Sequence, residues 1–186
     1  MTAPAQAPST DHAAFSYLNF LLFCSIVAAT IIGIPLYGYF VGFTTFDWIL
    51  SFVMYVITGM GITVGYHRLV SHQSFECPDW VKRCALIAGG WALQNSALIW
   101  CADHIRHHAR TDTDEDPYNA SRGFWHSHCG WLFYETPHRT DKYEIRLRRD
   151  PVILWQHRYY WVIVVSGLAV PFALGVWWHG GMMGGV

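Results

Sequence analysis

The first 67 residues contain no lysine or arginine, and only 13% of the 186-residue chain is charged. Soluble domains carry roughly twice that fraction, so a water-facing surface over most of the chain is excluded. All twelve basic residues fall between Arg68 and Arg158, and thirteen acidic residues bring the net charge to -1. That balance excludes global attraction to nucleic acid. The five cysteines (Cys24, Cys77, Cys84, Cys101, Cys129) form no CxxC pair. Neither a thiolate metal site nor a disulfide framework is indicated, and the thiols are expected to be reduced. The opening segment MTAPAQAPSTDH has neither the positive n-region nor the compact apolar h-region of a signal peptide. Residues 1–17 are expected to form a flexible tail, with the apolar run that follows retained.

Hydrophobic residues make up 53% of the chain and aromatics 17%. They gather in runs. Leu18–Phe43 has no charged side chain, and at ~1.5 Å per residue it is long enough to cross ~30 Å of hydrocarbon. Pro35 is expected to kink it. Trp48–Val64 is a second run of helical length, and Tyr159–Trp178 is a third with aromatics at both ends, as in an interfacial belt. The expected fold class is an all-α membrane protein with a transmembrane hairpin (18–66), a histidine-rich helical cap (67–158), a third span (159–178) and a short terminus (179–186). Cytoplasmic flanks are enriched in Lys and Arg, so the Arg68–Arg158 region and the N-terminus are expected on the cytoplasmic side, in a bacterial inner membrane. Trp80–Trp100 is apolar, but Gln94, Asn95 and Gly89-Gly90 interrupt it. It is expected to lie along the membrane surface or against the other helices.

Nine of the eleven histidines fall between His67 and His157, and five of them form two groups, His67/His72 and His104/His107/His108. On a helix the second group occupies i, i+3 and i+4, within an arc of about 100°. Three imidazoles on one face can meet one or two metals. His67 and His72 are ~140° apart on a regular helix, which suits two different metals or a helix ending near Ser71. Imidazole suits iron, copper, zinc and nickel; calcium and magnesium would require clustered carboxylates. Histidine ligation at a membrane edge favours redox-active iron. His12, His138, His157 and His179 stand alone and read as solvated or hydrogen-bonded side chains. His126 and His128 alternate in WHSH and could reach a metal or support one from outside its ligand shell. The acidic run TDTDEDP lacks the Gly and terminal Glu of an EF-hand loop and reads as a solvated turn.

The segments GITVGYHRLVSH, ALQN, WCADHIRHHARTDTDEDPYNASRGFWHSHCGW and DPVILWQHRYY stand in the order and spacing of delta-9 type acyl desaturases. The chain resembles that family over roughly residues 45–162. The resemblance implies a helical membrane protein with a cytosolic cap holding two irons, which activate dioxygen and remove two hydrogens from a saturated acyl chain to leave a cis double bond. An outside redox protein, such as ferredoxin, rubredoxin or a b-type cytochrome, would supply electrons. By the same resemblance His67, His72, His104, His107 and His108 match iron ligands. Gln94, Asn95 and Trp100 match positions near the acyl tunnel and thioester end, and Asp103 matches one near the head group.

Two departures bear on the acyl carrier. Ala102 stands where the acyl-CoA branch usually has Arg, and Glu135-Thr136 replaces a basic pair, so two contacts to CoA phosphate are missing. Acyl-CoA stays the commonest family substrate, with acyl-lipid and acyl-carrier protein open. The family continues with a fourth span, an Asn-x-x-x-His pair and a third histidine box. The chain is therefore expected to be an N-terminal part that binds two irons weakly or not at all and is inactive alone. The competing readings are a membrane diiron hydroxylase or ketolase and a non-catalytic histidine-rich metal-binding membrane protein.

Overall fold

A computed structural model describes residues 14–134 and 142–180. His12, His138 and the Glu135-Thr136 departure lie outside the described residues. In chain order the helices are α1 (Tyr17–Phe40), α2 (Thr45–Ser71), α3 (Asp79–Gly90), α4 (Ala97–Arg110), α5 (Phe124–His128), α6 (Lys142–Leu147), α7 (Pro151–Arg158) and α8 (Tyr160–His179). Short 3₁₀ turns occupy Ala120–Arg122 and Gly130–Phe133, and an isolated antiparallel bridge joins Phe15 to Tyr134. No strand occurs among the described residues. Three helices, α1, α2 and α8, are long and apolar enough to cross a membrane, as the apolar runs imply.

Local chemistry starts and stops these helices. The Ser16 hydroxyl accepts the Asn19 N–H at the start of α1. At the start of α2 the Thr44 side chain accepts the Asp47 N–H while the Asp47 carboxylate accepts the Thr44 N–H, a reciprocal capping box. Pro35 does not break α1. Ala29–Gly33, just before it, is wound with the wider i→i+5 hydrogen-bond pattern, which absorbs the missing proline N–H inside a continuous helix.

Two compact units divide the chain. In the first, residues 1–42 and 105–140, the start of α1 is tied to the Gly130–Phe133 turn. Ser16 N–H donates to the Phe133 carbonyl at 2.7 Å and the Asn19 side-chain amide to the Leu132 carbonyl at 3.1 Å. The Phe133 ring meets Phe20 and Phe23 at 5.3 and 5.4 Å.

The second unit, residues 43–104 and 141–186, contains a close crossing of α2 and α3. It is built on glycine. A Cβ at Gly61 would collide with the backbone of Ala88 and Gly89, and one at Gly65 would come within 3.0 Å of the Ala85 carbonyl oxygen. The Tyr66 ring covers Gly89 closely, leaving no room there for a methyl group. The apolar run Trp80–Trp100 thus lies against another helix, and it is not one helix. It breaks between Gly90 and Ala97, where Leu93 and Asn95 take positive φ of 61° and 82°. Helix α7 closes the core with Val152, Ile153 and Gln156, all buried. Its N-cap is Asp150, which accepts the Val152 and Ile153 N–H groups and pairs with Lys82.

Candidate metal centre

The last three turns of α2 decide where the first two histidines point. Gly61–Ser71 is wound with i→i+5 bonding, and the His72 N–H donates to the His67 carbonyl at 3.0 Å. Five residues then complete about one turn of the helix. The ~140° separation of a regular helix disappears, and the rings of His67 and His72 stand 4.5 Å apart, edge to face. Buried hydrogen bonds hold the wide turn open: Ser71 Oγ donates to the Tyr66 carbonyl at 2.9 Å, and the Cys101 thiol donates to the same oxygen at 3.3 Å.

Helix α4 brings His104 to the same place. Its ring lies 4.7 Å from that of His67 and 5.4 Å from that of His72, and the Nε2 atoms of His72 and His104 are 3.3 Å apart. One ligand nitrogen from each of the three lies within 4.8 Å of the others. Trp100, one turn earlier on α4, stacks on His104 at 4.8 Å and 17°, which limits rotation of that ring. His108 follows His104 by one turn of the same uninterrupted helix. His67 and His104 are half-buried and His72 is exposed. Imidazole nitrogens this close can share a proton as a hydrogen bond or turn their lone pairs to a common cation. A set of neutral nitrogen donors fits iron, copper, zinc or nickel and is a poor match for calcium or magnesium.

In the first unit His107 has its own partner. Its Nδ1 lies 2.9 and 3.0 Å from the two oxygens of Asp116, whose side chain is 0% exposed. The same carboxylate accepts the backbone N–H groups of Asp112 and Tyr118, each at 2.9 Å. The reading of the acidic run as a solvated turn therefore fails at Asp116, because these donors replace its water; Asp114 is exposed as expected. His126 and His128 lie on the single-turn helix α5. His126 Nε2 is buried with no hydrogen-bond partner among the described residues. Burial, and then the Arg122 charge, hold this imidazole below its usual value, against the opposing pull of Asp116 and the Pro117 carbonyl. The His128 ring stacks on Phe124 at 5.2 Å. His157 hydrogen-bonds Ser96 Oγ at 2.7 Å and His179 pairs with Asp47 at 3.0 Å.

Of the residues matched to the substrate, Gln94 and Asn95 are exposed in the break between α3 and α4, Trp100 lies against His104, and Asp103 is buried. The Asn95 N–H donates to the Tyr160 hydroxyl at 3.1 Å and its carbonyl accepts the Tyr66 hydroxyl at 3.3 Å. Sequence reasoning missed Asp116, Tyr66 and Gln156. The only available signal was their place inside the matched segments.

The fatty acid desaturase family model matches residues 43–186. The chain belongs to the fatty acid desaturase family. This desaturase-family chain is 40% identical over 71% of its length to an sn-2 palmitoyl-lipid 9-desaturase of Nostoc sp. (strain 36), covering 50% of that protein. It is 36% identical over 72% of its length to an sn-1 stearoyl-lipid 9-desaturase of Anabaena variabilis, covering 52% of it. An acyl-CoA Delta(11) desaturase of Trichoplusia ni is 35% identical over 85% of the chain, with 47% of the relative covered. The chain thus spans about half the length of the curated relatives it matches.

Proposed function

We propose that this chain carries the first two histidine boxes of an oxygen-dependent desaturase that places a cis double bond at the delta-9 position of a saturated acyl chain held in a membrane lipid. The observation that carries the reading is the convergence of His67, His72 and His104 at the end of an apolar span. The residues that would hold iron are these three with His107 and His108. Two irons, when bound, would supply dioxygen activation and the removal of two hydrogens, with electrons from an outside protein such as ferredoxin, rubredoxin or a b-type cytochrome.

The chain's own residues would orient and bind. Trp100 would steady His104 from one side, with Gln94 and Asn95 near the acyl tunnel and the ester or thioester end of the substrate and Asp103 near its head group. A lipid-linked acyl chain is favoured over acyl-CoA on two grounds. Ala102 is 4% exposed and offers no cation to a CoA phosphate, and two of the relatives are named for palmitoyl- and stearoyl-lipid substrates. The clustering of basic residues from Arg68 to Arg158 supports a cytoplasmic metal-binding region (67–158) between the hairpin and the third span, in a bacterial inner membrane.

The test is iron per chain by elemental analysis after purification from a membrane host, with a His104→Ala, His107→Ala, His108→Ala triple variant beside it. Iron above the level of the variant is expected; equal iron in both would sink the metal assignment. In a host expressing the chain joined to the C-terminal half of a 9-desaturase relative, deuterated stearate should yield labelled 9-monounsaturated chains in phospholipid ahead of the CoA pool. Label appearing first in monounsaturated acyl-CoA would redirect the substrate.

A further inference from the structure

We infer that Asp116 is a positioning residue for His107, holding its imidazole in the tautomer protonated at Nδ1 so that Nε2 presents a free lone pair to the metal. The inference rests on the metal-centre reading above and deepens it. A neutral imidazole carries one N–H, so donation from Nδ1 leaves Nε2 as an acceptor or ligand. The other tautomer would set the Nδ1 lone pair against a carboxylate 2.9 and 3.0 Å away, and repulsion disfavours it.

The carboxylate is aimed independently of the histidine. Asp116 Oδ2 accepts the Asp112 N–H and Oδ1 the Tyr118 N–H, each at 2.9 Å, so both oxygens are anchored by backbone before His107 is considered. The loop that supplies these donors is closed on itself: the Asp116 N–H donates to the Thr113 carbonyl at 3.0 Å and the Asn119 side-chain amide to the same oxygen at 2.8 Å. The Tyr118 ring lies 5.2 Å from the His107 ring and restricts its swing. An isolated buried carboxylate is costly, but this one, 0% exposed, has N–H donors on both oxygens. Partners of this kind outside the ligand shell typically change metal affinity by about 10–100-fold.

The deciding experiment is nitrogen-15 histidine NMR on the whole, metal-free chain in detergent, with the His107 signal assigned by its loss in His107→Ala. A protonated Nδ1 and bare Nε2 at His107 are expected in the wild type, and a protonated Nε2 there would overturn the inference. Asp116→Asn should populate the Nε2-protonated form and weaken ferrous iron binding about 10–100-fold. On the His107→Ala background the same substitution should leave iron affinity unchanged; a further loss there would show that Asp116 acts through the loop alone, and would also overturn the inference. If Asp116→Asn does not fold, the wild-type spectrum still decides. A protonated Nδ1 in a chain whose iron binding ignores all five histidines would retire the metal-centre reading while leaving the tautomer assignment standing.

Discussion

Gln156, fully buried on α7, donates its side-chain amide to the Tyr66 hydroxyl at 2.8 Å and accepts the Ala97 N–H on its Oε1 at 2.9 Å. Tyr66 directly precedes His67 on α2, and Ala97 opens α4, the helix that carries His104. One side chain thereby joins the two elements whose histidines converge, and satisfies an amide at a helix start that has no partner within its own helix. Gln156→Leu keeps the volume but leaves the Ala97 N–H without this acceptor in the core. We expect a loss of about 1–3 kcal/mol, read as a lowered melting temperature in detergent. An unchanged melting temperature would refute the joint.

The glycines at the α2–α3 crossing respond to size. Gly61→Ala places its Cβ against the backbone of Ala88 and Gly89, where no flexible side chain can yield, whereas a Cβ at Gly33 meets nothing within 4 Å. Gly61→Ala should reduce the yield of folded protein severalfold, and Gly33→Ala should be neutral. Monodispersity on gel filtration separates the two outcomes, and equal behaviour would count against the crossing.

Burial pushes the Cys101 thiol up to about 12, despite opposing contributions from Ser71, Arg146 and Lys82. In contrast to the exposed Cys84, Cys101 should resist maleimide until the protein unfolds, as peptide mapping after a timed reaction would reveal. The linkage sign follows from the raised value. Between the ordinary thiol value and about 12 the unfolded chain has lost the proton that the folded chain keeps. Cys101 therefore makes stability fall as pH rises through that window, and Cys101→Ala should flatten the decline.

At Asp150 burial disfavours the charge, but the Lys82 hydrogen bond and the Ile153 and Val152 N–H groups outweigh it and hold the carboxyl below its usual value. A depressed value stabilises above the unfolded-state value, and the contribution fades as pH falls through the folded one. Asp150→Ala should cost about 1 kcal/mol at neutral pH through loss of the helix cap. The gap in melting temperature between variant and wild type should narrow in acid. A gap independent of pH would contradict the role of the charge.

Much of this was legible from residue order. The three spans follow from uninterrupted apolar runs, because hydrocarbon accepts a helix only when nearly every side chain over its length is apolar. The i, i+3, i+4 spacing placed His104 and His108 one turn apart, and the matched segments pointed to the family that the comparisons established. The His67–His72 pair was not legible in this way. Its geometry depends on whether α2 winds regularly or with i→i+5 bonds, and that depends on Tyr66, Ser71 and Cys101 meeting across two helices.

The membrane class, the apolar spans and the imidazole-rich donor set follow from residue order, because they depend on composition and short-range periodicity. Folding was needed to bury Asp116 beside His107 while Asp114 in the same run stays exposed, to link Tyr66 to Ala97 through Gln156, and to bring His67 and His72 onto one face. Burial and hydrogen-bond partnership are properties of pairs of residues distant in the chain, and a local pattern carries no information about which partner arrives.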